Sequence, residues 1–102
     1  MMITKKYLKT KPVCKVTFAV LPEEHEGASE INLVGDFNDW SKEATPMKKT
    51  KAGKFSTTVD LETGKEYAFR YLIDGKVWEN DWKADSYVPN NLTSEENSVV
   101  EV

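Results

Sequence analysis

Tyr67-Ala68-Phe69-Arg70-Tyr71-Leu72-Ile73-Asp74-Gly75-Lys76-Val77-Trp78 is the stretch whose reading decides the fold. Tyr67, Phe69, Tyr71 and Ile73 alternate with Ala68, Arg70 and Leu72, which is the period of a strand with one face turned to a core. Asp74-Gly75 then separates that run from Lys76-Val77-Trp78. An Asp-Gly pair between two apolar runs is the strongest short-range hairpin signal. Parity also sets direction. With Tyr67, Phe69, Tyr71 and Ile73 facing the core, Ala68, Arg70 and Leu72 point away from it. Arg70 is therefore expected on an exposed face, close to the hairpin that carries Trp78.

Similar runs flank this hairpin. Val16, Phe18 and Val20 alternate with Lys15, Thr17 and Ala19, and Cys14 extends the apolar parity backwards. That strand stops at Pro22, before the polar loop Glu23-Glu24-His25-Glu26-Gly27. Ile31 to Val34 is an apolar run ended by Gly35-Asp36. Phe55, Thr57, Val59 and Leu61 alternate after a turn around Ala52-Gly53-Lys54, and Val99, Val100 and Val102 close the chain. No window of helical length sustains a 3.6-residue apolar period. Short strands punctuated by turn signals predict an all-β fold, an antiparallel sandwich or barrel, over residues 12–102. Residues 1–11 form a basic lead-in with Lys5, Lys6, Lys9 and Lys11, read either as a frayed tail or as a short edge strand.

Composition narrows the class. A chain of 102 residues is one small domain, and 39% hydrophobic residues with 11% aromatic are too many for a disordered segment. The longest apolar stretches, about four residues, fall far short of the roughly 20 that a membrane helix needs. A net charge of −3 argues against a generic nucleic-acid binder, which carries a basic surplus. One cysteine, Cys14, excludes an internal disulfide and is expected to be a buried small hydrophobe. The expectation is a single domain of cytoplasmic type, without cofactor, nucleic acid or membrane among its partners.

Three tryptophans need places to go. Trp40 follows the turn-rich Gly35-Asp36-Phe37-Asn38-Asp39, Trp78 lies on the hairpin's return arm, and Trp82 stands between Asp81 and Lys83. Indoles among such polar neighbours suit a sugar. The weakly polar faces of a pyranose bury against an indole, while hydroxyls need donors and acceptors around the rim. Arg70, Lys76, Asn80 and Asn97 are the right types for that rim. Two indole platforms would contribute roughly 4–7 kcal/mol before ordering costs, which leaves weak, micromolar to millimolar binding. Trp82 is expected instead to pack the 80–90 loop.

The same segments resemble a known family. Gly35-Asp36-Phe37-Asn38-Asp39-Trp40 resembles the GxFNxW signature of the glycogen-binding domain of the AMP-activated kinase β subunit, a family 48 carbohydrate-binding module. Tyr67 to Gly75 with Trp78, and the tail Asn97-Ser98-Val99-Val100-Glu101-Val102, resemble two further stretches of that family. The resemblance covers about residues 13–102 and includes the early-set domains of isoamylases and branching enzymes. It implies an immunoglobulin-like β-sandwich that binds α-1,4-glucan such as glycogen, starch, maltooligosaccharide or cyclodextrin. It also implies that Trp40 and Trp78 are the stacking indoles, with Arg70 and Asn97 bonding sugar hydroxyls. Leu92 is offset by one position from a leucine the family places in the loop before Asn97, and Glu95 and Glu96 add negative charge there.

Rival chemistries have weaker support. Asp36, Asp39, Asp74, Asp81 and Asp85 could supply a glycosidase's two carboxylates, but all stand in turn contexts where Asp is common. The expectation is no enzyme. His25, the lone histidine, has no second histidine to share a metal, and an acidic loop is normally a solvated one. A calcium site from Asn80, Asp81 and Asp85 matches no EF-hand spacing. Lys48, Lys49, Lys51 and Lys54 surround a hairpin tip, where lysines protect sheet edges. The alternative function is a protein–protein module on the same sandwich that recruits or regulates an enzyme of glucan metabolism.

Overall fold

The structure is a computed structural model that describes residues 1–90 and 95–102. The strands are β1 (Met2–Tyr7), β2 (Val13–Val20), β3 (Ile31–Gly35), β4 (Lys48–Lys49), β5 (Phe55–Glu62), β6 (Glu66–Ile73), β7 (Val77–Glu79), β8 (Ser86–Pro89) and β9 (Glu96–Glu101). They form two antiparallel sheets, one in the order β1-β2-β5-β4 and the other β3-β6-β9-β8, with β7 added beside β6. The two sheets pack face to face as the expected immunoglobulin-like sandwich. Among the described residues no helix is long and apolar enough to cross a membrane.

Alternation builds the core as the sequence pattern requires. Cys14, Val16, Phe18 and Val20 of β2 are buried against Phe69, Tyr71 and Ile73 of β6 and Ile31 and Leu33 of β3. The aromatic centre is tightly set, with Phe18 and Phe69 ring centroids 5.0 Å apart in an edge-on arrangement. Such a pair contributes about 0.5–1.5 kcal/mol beyond the area it buries. The Asp74-Gly75 turn is a hairpin turn as expected. Both residues have positive φ, 52° and 67°, and the Lys76 N–H donates to the Ile73 carbonyl at 3.0 Å. The lead-in turns out to contain an edge strand, since Met2–Tyr7 pairs along β2 from Met2↔Ala19 to Tyr7↔Cys14.

One expectation about β6 needs correction. Ala68, Arg70 and Leu72 do point away from the core, but Arg70 is only 6% exposed and Leu72 is buried. The outer face of this sheet is covered around Arg70 and Leu72. Val34 of β3, directly opposite Arg70, is also buried, and Trp78 of β7 lies opposite Leu72. Strand parity reports which way a side chain points, and only the segments folded over the sheet decide whether water reaches it.

A buried polar network ties the second sheet to the 80–88 segment. The Tyr71 hydroxyl donates to Asp81 Oδ2 at 2.7 Å inside the core. Burial, together with the Asp81 charge, raises the Tyr71 pKa well above the ordinary tyrosine range. The Asp81 N–H donates to Ser98 Oγ, Ser98 Oγ donates to Asn80 Oδ1, and Asn80 Nδ2 donates to the Glu96 carbonyl, each at 2.8 Å. Asp81 is thus a structural acid, satisfied as a buried polar group must be. Asp85 accepts from Lys5 Nζ at 2.7 Å and from the Glu101 N–H at 2.8 Å, linking β1 to β9.

Candidate functional site

The site begins where β3 ends. A Cβ added at Gly35 would lie 2.6 Å from the Ala68 carbonyl oxygen and 2.8 Å from Phe69 Cβ, so only glycine fits this close approach. Asp36–Asn38 then form a short 3-10 turn, and Asp39 and Trp40 both take left-handed conformations with φ of 55° and 56°. Each such non-glycine residue costs on the order of 1 kcal/mol. Hydrogen bonds offset the strain. Asn38 Oδ1 accepts from the Gly35 N–H at 3.0 Å, while Asn38 Nδ2 donates to the Leu33 carbonyl at 2.9 Å and to Thr45 Oγ1 at 3.0 Å. Phe37 packs its ring toward Phe18 and anchors the turn to the core.

This turn delivers Trp40 to the outer face of the second sheet. Its indole Nε1 donates to Asp36 Oδ1 at 2.9 Å, and Asp36 Oδ2 accepts from the Ala68 N–H at 2.8 Å. Asp36 therefore holds the indole to the sheet with both oxygens. Trp40 lines a pocket of about 430 Å³ together with Asp36, Lys42, Ala68, Trp78, Asn90 and Asn97. The small Ala68 side chain leaves room at its floor, and Trp78, 38% exposed, forms another wall. Lys42 Nζ stands 6.0 Å from the centroid of the Trp78 ring. Asn90 Nδ2 approaches Asn97 Oδ1 at 3.4 Å, bringing two amides to the same rim.

Of the residues anticipated from sequence, the pocket brings together Trp40, Trp78 and Asn97. Arg70, Lys76 and Asn80 are not among its described lining residues. Arg70 points to this side of the sheet but is committed to the frame. Its Nη2 and Nε donate to the Glu96 carbonyl at 2.7 and 3.2 Å, and its Nη1 pairs with Glu95 Oε2 at 2.8 Å. Asn80 is likewise held by Ser98 and by the Glu96 carbonyl. Lys76 is exposed in the hairpin turn. Leu92 lies outside the described residues.

Three polar lining residues that sequence reasoning did not assign to the site are Asp36, Lys42 and Asn90. Asp36 had a usable signal, since an Asp four positions before Trp40 across a turn can reach its indole; Lys42 had none beyond proximity to Trp40. Trp82 corrects a different expectation. It is 55% exposed rather than packed under the 80–90 loop, and its neighbours are His25, at 6.4 Å between ring centroids, and Glu79. His25 itself is half-buried, 3.4 Å from Glu79 Oε2, and not in a freely solvated loop. The carboxylates of Asp81 and Asp85 are taken up by the frame contacts described above. No group of three or more His, Cys, Asp or Glu side chains suited to a metal ion occurs among the described residues.

A β-sandwich that gathers two indoles and an amide rim into one surface pocket has the design of a carbohydrate-binding module. A family model described as the glycogen recognition site of AMP-activated protein kinase matches residues 20–102, and the chain belongs to that family. Two curated relatives are 1,4-alpha-glucan branching enzymes. The one from Aquifex aeolicus is 40% identical over 63 residues, and the one from Butyrivibrio fibrisolvens is 32% identical over 60 residues. Each match covers 59% of this chain but only 10% and 9% of the respective enzyme, so the shared part is a small portion of those proteins.

Proposed function

We propose that this domain is a non-catalytic module that binds α-1,4-glucan in the Trp40–Trp78 pocket. The observation that carries the reading is the convergence of two indoles from separate segments, the 36–40 turn and β7, on one pocket rimmed by Asn90 and Asn97. Pyranose faces stack on Trp40 and Trp78, and Asn97 bonds to sugar hydroxyls. Because Asp36 already takes the Trp40 Nε1 proton, that indole offers its ring face rather than a donor. Arg70 and Asn80 act from behind by fixing the Glu96 carbonyl, one residue before Asn97. Lys76 contacts only a chain long enough to extend past the pocket toward the hairpin turn. The family's glycogen-recognition description and the glucan-active relatives support the same ligand class. A cytoplasmic site of action fits an intracellular glucan.

The test is a titration with β-cyclodextrin and maltoheptaose, followed by tryptophan fluorescence and amide NMR shifts. Shifts clustered at Trp40, Trp78 and Asn97, with a dissociation constant between about 10 μM and a few millimolar, support the reading. No shift at 10 mM sugar, on the order of the weakest affinity worth calling binding, refutes it and leaves the recruitment of a glucan-metabolising enzyme as the function to pursue.

A further inference from the structure

The cation at this pocket is not the one expected from sequence. Arg70 is buried and its guanidinium is engaged by Glu96 and Glu95. Lys42, by contrast, is exposed, lines the pocket and carries its ammonium above the Trp78 ring. We infer that Lys42 is a ligand-binding residue of the pocket, a clamp that closes over a pyranose stacked on Trp78 and donates to its outward hydroxyls. The inference rests on the glucan-binding reading above.

The ammonium stands where a stacked sugar would enter, and its flexible stem lets it move aside and stay within reach. A sugar ring stacked at van der Waals separation sits about 4 Å from the indole plane. An ammonium 6.0 Å from the ring centroid lies at the outer edge of that space and has to swing aside as a pyranose stacks. A small outward shift of a flexible four-carbon stem brings Nζ to hydrogen-bond distance of hydroxyl oxygens, roughly 2.7–3.2 Å. Lys42 then gives up a cation–π interaction at the outer limit of its range and at an exposed site, where it is weakest. In its place the ammonium makes a hydrogen bond as a charged donor, which is the stronger kind. Asp36, which also lines the pocket, already accepts from the Trp40 indole through Oδ1 and from the Ala68 N–H through Oδ2. The Lys42 donor also explains how the pocket functions with Arg70 withdrawn beneath it.

The experiment compares wild type, Lys42→Met and Lys51→Met by maltoheptaose titration, with the free-protein Trp indole NMR signals recorded first. Lys42→Met keeps most of the apolar stem and removes the charge, so the fold is expected to survive. Its expected effects are a shift of the Trp78 indole signal but not that of Trp82 in the free protein, and a five- to tenfold rise in Kd, about 1.0–1.4 kcal/mol. Lys51→Met, an exposed lysine in the turn between β4 and β5 of the other sheet, should change Kd less than twofold for the same sugar. Unchanged or tighter binding by Lys42→Met overturns the clamp while leaving the glucan reading intact. Absence of binding by wild type removes both. An equal loss in the two lysine variants would show a general charge effect and overturn the clamp.

Discussion

Trp40 and Trp82 are alike in one respect and opposite in the one that matters. Each is an indole whose Nε1 points at a carboxylate, Asp36 at 2.9 Å for Trp40 and Glu79 at 3.4 Å for Trp82. Trp82 is the most exposed tryptophan, at 55%, yet its neighbours are His25 and Glu79, on the other side of β7 from Trp78. Trp40 sits in a pocket with a second indole, a lysine and two amides. Exposure therefore does not define a sugar platform in this molecule. Under the proposed function convergence does, because a single indole face supplies only part of the apolar area that weak binding requires, and the hydroxyls of a stacked sugar still need partners.

The strongest way to break the comparison is to destroy the turn that makes Trp40 converge. Gly35→Ala places a methyl 2.6 Å from the Ala68 carbonyl oxygen, and backbone atoms have to move. A destabilisation of about 2–3 kcal/mol is expected, or a fall of roughly 10–20 °C in melting temperature. A melting curve within 3 °C of wild type, roughly 0.5 kcal/mol, would show that the close approach is less rigid than described.

Trp40→Ala tests the platform itself. Glucan affinity should fall at least twentyfold, about 2 kcal/mol, while stability changes by under about 1 kcal/mol. Calorimetric titration paired with thermal unfolding reads both numbers from one preparation. A large stability loss with unchanged affinity would make Trp40 a packing residue like its neighbour Phe37.

The third prediction concerns pH. The Asp74 carboxylate accepts the N–H groups of Glu30 and Ser29, which hold its pKa below the ordinary aspartate value. A depressed folded-state value means that this group's stabilisation is complete above the unfolded value, about 3.9, and is lost as pH falls through the lower folded one. Asp74→Asn should therefore destabilise the protein at pH 6 and have less effect at pH 2, because wild type has by then lost the same contribution. Denaturant midpoints at the two pH values give the check, and equal differences at both would contradict it. Asp74 is not among the described lining residues of the pocket, so glucan affinity at neutral pH should hold.

Trp82→Ala sets the smallest expected effect. Maltoheptaose Kd should change less than twofold, under about 0.4 kcal/mol, despite the loss of the most exposed indole. A tenfold loss would mean that a bound chain runs across β7 to reach Trp82, and the contrast with Trp40 would disappear.

Much of this fold was legible in the chain. Period-two runs in β2, β5 and β6 and the Asp74-Gly75 turn place strands and a hairpin without reference to distant contacts, because each signal lies within about ten residues. Short strands escaped that reading. Ser86–Pro89 of β8 mixes exposed aromatic, aliphatic and proline residues, and Lys48–Lys49 of β4 has no alternation at all; both become strands only because β9 and β5 offer them a partner edge. The lead-in residues Met2–Tyr7 pair with β2 for the same reason.

The sequence alone determined the all-β class and the family resemblance, since both rest on local pattern and on residue types at short spacing; the choice of sandwich over barrel and the singling out of Trp40 and Trp78 as stacking indoles came with that resemblance. Tertiary structure alone decided which polar groups stand beside those indoles. Arg70 has outward parity, yet Glu95 and the Glu96 carbonyl claim its guanidinium and leave it buried. Asp36 and Lys42 carry no distinguishing local pattern, yet folding sets one on the Trp40 indole and the other over Trp78. The physical reason is that strand periodicity encodes direction, whereas exposure and partnership depend on which remote segment folds across the same face.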